Sequence, residues 1–233
     1  MGEEKDLRGP VMAAGREEKI AKLNEMGEGA ATGEDAAAFL QSALYDEDAL
    51  VRAKAFLLAE RCYDPLLLPL LYDILAQEER EWQLRALNVL RLNADERVLP
   101  RLSPLLFQRK QPLLLRGAYL TVAAIGGEEA LRLIATFLKS PYCAYLKDDY
   151  LGAVLSLALK EGDTAKALWS KLIAEDESLA AFSGALLTNA EENPLLTVYP
   201  YPDYLTETAR TRGIDTKTWK KAMYFPRKKH VEK

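Results

Sequence analysis

Leu50-Val51-Arg52-Ala53-Lys54-Ala55-Phe56-Leu57-Leu58-Ala59, followed by Asp64-Pro65-Leu66-Leu67-Leu68-Pro69-Leu70-Leu71, reads as two helices joined by a capped turn. Asp64 supplies the oxygen that receives a free helix-start N–H, and Pro65 sits where a missing N–H costs nothing. The first half of the phrase returns as Leu84-Arg85-Ala86-Leu87 and Leu115-Arg116-Gly117-Ala118, and without its arginine as Tyr150-Leu151-Gly152-Ala153, at spacings of 33, 31 and 35 residues. Such a period predicts stacked helical hairpins, because one hairpin cannot bury its apolar face alone.

The second half recurs too. Leu67-Leu68-Pro69-Leu70-Leu71 aligns with Val98-Leu99-Pro100-Arg101-Leu102, Ala130-Leu131-Arg132-Leu133-Ile134 and Ala165-Lys166-Ala167-Leu168-Trp169. Asn93-Ala94-Asp95, Gly126-Gly127 and Glu161-Gly162-Asp163 mark the turns between the two helices of each hairpin, with glycine free to take the left-handed conformation. Pro69 and Pro100 are expected inside the second helices, where they would bend them.

Val51-Arg52 with Ala53 and Ala55, then Asp64-Pro65 and Leu68-Pro69-Leu70-Leu71, resembles a HEAT repeat, in particular the short bacterial type. The resemblance covers residues 46 to about 177. It implies an all-α fold, a right-handed α-α superhelix of four or five hairpins. The family includes scaffolds, bilin lyases and DNA glycosylases, so the fold by itself licenses no activity. The resemblance also implies that Arg52, Arg85 and Arg116 tie each hairpin to the one before it, with Asp48 and Glu81 among the candidate acceptors.

Around this array the organisation is expected as follows: a disordered N-terminal segment (1–15), the repeats (16–193), and a non-repeat aromatic and basic C-terminal cap or tail (194–233). A charged first hairpin is expected from Arg16–Met26 and Gly33–Leu44, and a last helix from 176 to 193. The cap is expected over the otherwise open last hairpin, using aromatic residues among Tyr199, Tyr201, Tyr204, Trp219, Tyr224 and Phe225.

Composition narrows the class. The chain has 233 residues and a net charge of -4; residues 1–48 carry 5 basic and 12 acidic side chains, and residues 194–233 carry 9 and 4. A mildly basic tail beside a slightly acidic array is a poor phosphate cradle, so nucleic acid is not the expected partner. The start of the chain lacks the apolar core of a secretory signal, and no stretch approaches the ~20 apolar residues of a membrane span. Cys62 and Cys143 are isolated and read as reduced core thiols in a cytoplasmic monomer with no membrane contact.

Chemistry is sparse. The single histidine, His230, lies four residues from the end, and no Ser or Cys has a neighbouring base, so no catalytic group is expected. Asp148-Asp149 reads as a capping pair rather than a metal site; no phosphate-binding loop is present, and neither a cofactor nor a metal is expected. The expected function is a non-enzymatic scaffold that binds a protein or peptide on its concave face. The partner strip is read from the second-helix positions the core does not need: Asp73, Phe107, Gln108, Arg132, Thr136, Lys139 and Lys171, with Phe107 as an apolar anchor between an acidic and a basic end. The alternative is a nucleic-acid-binding HEAT-like protein, possibly an alkylation-repair glycosylase, which would need a carboxylate beside an exposed tryptophan such as Trp82 or Trp169.

Overall fold

A computed structural model describes residues 15–29, 33–77, 79–93, 96–108, 111–160, 162–183, 210 and 212–223, with Gln77 and Ala222 by backbone alone. The expectations for residues 1–14, for the end of the 176–193 helix, and for the aromatic residues Tyr199, Tyr201, Tyr204, Tyr224 and Phe225 lie outside these residues. Among the described residues all regular structure is helical, and no helix is long and apolar enough to cross a membrane. The chain divides into two compact units, residues 1–70 with 203–233, and residues 71–202.

In the first unit α1 (Arg16–Gly27), α2 (Glu34–Ala43) and α3 (Ala49–Arg61) follow the expected hairpin and the opening of the repeat phrase. Helix α3 is buried from Leu50 to Phe56 and again at Leu58 and Ala59, so apolar positions run all round it rather than along one stripe. That pattern requires cover on several sides, and α1, α2 and the C-terminal helix α12 (Thr216–Met223) all pack against it. Asp48 does two jobs: its carboxylate accepts from the Leu50 and Val51 amides at the start of α3, and it pairs with Arg16 of α1. Lys19 reaches Asp46 at 2.7 Å, so two ion pairs pin α1 to the corner before α3.

Lys54 is fully buried in this helix. Burial, with the nearby Arg61 charge adding to it, lowers its pKa from 10.5 to about 8. Between those values the unfolded chain holds a proton that the folded chain has shed, so the contribution of this group to stability rises with pH across that window.

The second unit is a two-layer stack. After the division inside α4 (Leu68–Gln77) come α5 (Arg80–Asn93), α6 (Leu99–Leu106), α7 (Pro112–Ile125), α8 (Gly127–Leu138), α9 (Asp148–Ala158), α10 (Asp163–Glu175) and the short α11 (Ala180–Ser183). Helix α7 lies between α5 and α9, and α8 lies between α6 and α10, while α7 also packs on α6 and α8. The first helices are buried nearly throughout, and the second helices bury one face.

Hydroxyl groups cross between the buried helices. Tyr119 of α7 donates to the Leu151 carbonyl of α9 at 3.1 Å, and Tyr150 of α9 donates back to the Arg116 carbonyl of α7 at 3.0 Å. Thr121 of α7 reaches the Leu87 carbonyl of α5 at 3.2 Å. Burial raises the pKa of both tyrosines, which keeps them neutral donors.

The three repeated arginines, expected to tie each hairpin to the one before it, each meet an aromatic ring. Arg116 places its guanidinium 4.0 Å from the centre of the Tyr150 ring, on the following hairpin. Arg85 is paired within its own helix, 3.8 Å from Glu81, and faces Trp82; Arg52 faces Tyr45. Asp48 is committed to the α3 amides and Arg16. Planar guanidinium groups gain from stacking on rings as well as from carboxylates, and repeat spacing alone could not tell these apart.

Other local expectations also shift. Pro69 and Pro100 fall in the first turns of α4 and α6, because the 3-10 turns Pro65–Leu67 and Glu96–Val98 precede those helices; the proline inside a helix is Pro104. Lys147, not an aspartate, precedes α9, which leaves Asp148 and Asp149 in its first turn, where their charge complements the helix dipole. Cys62 is exposed and Cys143 partly so; neither is a core thiol, though both are free. The expected helix from 176 is a 3-10 turn, Glu177–Leu179, and then α11. Of the C-terminal segment, α12 packs on α3 within the first unit, with Trp219 fully buried.

Arg116→Ala removes a short guanidinium–ring contact between α7 and α9 and should lower unfolding stability by about 1–2 kcal/mol. Urea denaturation checks it; unchanged stability would show that the contact does not hold the hairpins together.

Candidate functional site

The second helices of the second unit display one exposed strip. Its rows are Pro100, Arg132 and Ala167; Pro104, Thr136 and Lys171; and Phe107, Lys139 and Ala174, with Asp73 exposed on α4. All of these are exposed except Phe107, which is half-buried. The strip forms because α6, α8 and α10 pack side by side and turn their leucines, isoleucine, phenylalanine and tryptophan inward, at Leu102, Leu105, Leu131, Ile134, Phe137, Trp169 and Leu172.

The predicted residues come together in part. Arg132 and Thr136 are adjacent turns of α8, with the Thr136 hydroxyl donating to the Arg132 carbonyl at 2.9 Å. Arg132 is held by Glu128 of the same helix through Nε at 3.0 Å and Nη2 at 2.8 Å. Lys139 lies 3.6 Å from Asp176 beyond α10. Hydrogen bonds from the Ser178 hydroxyl and then its amide hold the Asp176 carboxyl below the usual range, and Lys139 adds to this. Two of the three cations expected to make the strip basic, Arg132 and Lys139, are therefore partnered within the chain. Lys171 is exposed and makes no ion pair among the described residues.

Phe107, expected as an apolar anchor, is half-buried. Its ring meets Phe137 edge-on at 6.4 Å and Tyr142 at 5.8 Å, filling the space where α6 ends against α8 and the following turn. Gln108, just beyond α6, is half-buried as well. Tyr142 is the neighbour the sequence reading missed, because it sits in the connection outside the repeat phrase, where no period points to it.

Two further features border the strip. Arg101 of α6 lies over the ring of Tyr72 of α4 at 5.5 Å, and the Tyr72 hydroxyl donates to the Arg97 carbonyl at 3.2 Å. At the starts of α6 and α8 an open cleft of about 480 Å³ is lined by Glu96, Leu99, Gly126, Gly127, Glu128, Glu129 and Arg132. The two glycines, at φ 67° and 79°, turn the chain sharply into α8 with no side chain capping its start. The paired glycine was legible in the sequence as a turn; the cleft was not, because Glu96 comes from the preceding hairpin.

The arrangement offers helix-face contacts and an acidic-rimmed cleft. Among the described residues no three His, Cys, Asp or Glu side chains are placed to hold a metal ion. All three tryptophans, Trp82, Trp169 and Trp219, are buried, so none is exposed to stack on a base. The partly exposed Cys143 has its thiol pKa raised by burial and by the charge of Asp148, which disfavours the reactive thiolate.

Phe107→Ala should act on the fold rather than on a partner, with loss of the Phe137 and Tyr142 contacts costing about 1–3 kcal/mol. Thermal melting measures it. A variant with wild-type stability would restore Phe107 as a ligand-facing residue.

Comparison with protein-family models, with curated proteins and with solved structures returns no match to this chain.

Proposed function

We propose that this chain is a non-enzymatic HEAT-like repeat protein that binds a protein or peptide partner along the exposed strip of α6, α8 and α10. The observation that carries the reading is the register of that strip: three neighbouring second helices leave equivalent positions exposed in two full rows, Pro100, Arg132 and Ala167, then Pro104, Thr136 and Lys171, while their first helices form a buried layer behind them. Equivalent positions repeated at a fixed interval suit a ligand that runs across several hairpins, since each contributes one similar set of contacts. In this reading the helices of the second unit are turns of a right-handed α-α superhelix, as the resemblance of Val51-Arg52 and Asp64-Pro65 to the HEAT phrase implies.

The chemistry of the strip favours a partner of mixed charge. Arg132 and Lys139 already pair with Glu128 and Asp176, and Glu129 of α8 and Asp73 of α4 are exposed. What remains is a nearly neutral surface of prolines, alanines and Thr136 with Lys171 at one side. A polyanion gains little from it, whereas a peptide segment with both charges and small apolar residues can lie along it.

The test is a quantitative pull-down comparing wild-type protein with a strip variant, Thr136→Arg with Lys171→Glu, and with a control, Glu17→Lys, on α1. A partner retained by wild type and control and reduced at least tenfold by the strip variant, with melting unchanged, is the expected result. A partner that binds all three equally overturns the assignment of the strip. Tight binding of duplex DNA at physiological salt would favour the nucleic-acid alternative instead.

A further inference from the structure

The first unit contains a helix docked as a ligand would be. Helix α12 has eight residues, separated from α3 by more than 150 positions, and it meets the unit through Trp219, fully buried, and Met223, buried four residues on. Lys217, Thr218, Lys220 and Lys221 are exposed, and Thr216 is half-buried. A bulky apolar anchor, a second at i+4 and a charged outer face is the pattern by which an amphipathic helix enters a groove. Its start is organised locally: the Asp215 carboxylate accepts from the Thr218 amide at 2.8 Å and from the Thr218 hydroxyl at 3.0 Å. The helix is thus capped by its own residues, and its described packing partner is α3.

Two observations bear on what the groove accepts. Residues 15–70 contain six basic and eleven acidic side chains, with Glu17, Glu18, Glu25, Glu34, Asp35 and Glu47 exposed. A lysine-faced helix is drawn to such a surface, and an acidic one is repelled. Second, the Trp219 indole Nε1–H is buried with no acceptor among the described residues. An unmet buried donor subtracts from what the burial of the ring contributes, so α12 is held less firmly than its apolar contacts alone would hold it. A bound segment with a cost of this kind is open to replacement by one that lacks it.

We propose that the face of α3 beneath α12 is a binding site for a basic amphipathic helix, occupied in cis by α12 and entered in trans by a partner protein's helix that displaces it. The partner helix carries a large apolar residue, a second four positions on, and lysine or arginine outward. This site is on the first unit and is separate from the strip on α6, α8 and α10. The cis helix lowers the apparent affinity of the site for any partner by the fraction of time it is docked.

The experiment uses full-length chain and a fluorescein-labelled synthetic peptide of residues 213–225, followed by fluorescence anisotropy. Trp219→Ala in the chain empties the groove, so the peptide should bind that variant at least tenfold more tightly than wild type, and a peptide carrying the same Trp219→Ala change should bind neither. Equal affinity for the two chains overturns the proposal. If Trp219→Ala melts α3 as judged by circular dichroism, Asp215→Ala, which loosens only the start of α12, is measured in its place: a threefold or greater gain in peptide affinity supports displacement, and no gain overturns it. A wild-type chain whose mass doubles by light scattering, with the doubling lost in Trp219→Ala, would mean exchange of α12 between copies and would overturn entry of a partner's helix.

Discussion

The second unit depends on a reciprocal pair of hydrogen bonds. Tyr119 and Tyr150 each reach across the α7–α9 contact to a main-chain carbonyl of the other helix, with ring centroids 6.3 Å apart. Helix carbonyls already accept one bond from within the helix and retain a lone pair, so a buried hydroxyl can be satisfied without breaking either helix. The geometry permits little sliding, because a shift of one helix along the other would leave two buried donors unmet, each at about 1–3 kcal/mol. The guanidinium of Arg116 over the Tyr150 ring strengthens the same contact, and Thr121 extends it to α5 through the Leu87 carbonyl.

Fixing the first helices fixes the second. Helices α6 and α8 pack on α7, and α10 packs on α8, so the register of the buried layer is passed to the outer one. The strip is exposed for a simple reason: its positions are those that the 3.6-residue period turns away from α5, α7 and α9. Its electrostatics are shaped by short-range pairing within the chain, Arg132 with Glu128 and Lys139 with Asp176.

Hairpins were legible in the sequence because their signals are local. The Val51-Arg52 phrase, the Asp64 cap and the Gly126-Gly127 turn each depend on a few neighbouring residues, and the helices begin and end close to where those residues lie. Exposure of Asp73, Arg132, Thr136, Lys139 and Lys171 followed from helical period alone. What was not legible depends on pairs distant in sequence. Asp48 pairs with Arg16, Lys139 with Asp176, and Phe107 with Phe137 and Tyr142, while Trp219 returns to α3 across most of the chain. The prolines were misplaced for a subtler reason: a 3-10 turn and the first turn of an α-helix present the same apolar spacing over so few residues, so Pro69 and Pro100 read as interior until the helix start was seen.

If the interlocked tyrosines make α5, α7 and α9 one cooperative layer, hydrogen exchange of the main chain gives the most direct reading. Opening free energies for the amides around Leu87, Thr121 and Leu151 should be the highest in residues 71–183 and equal to one another, and Tyr119→Phe should lower all three together. Separate values for the three helices, or a Tyr119→Phe effect confined to α7, would contradict the account.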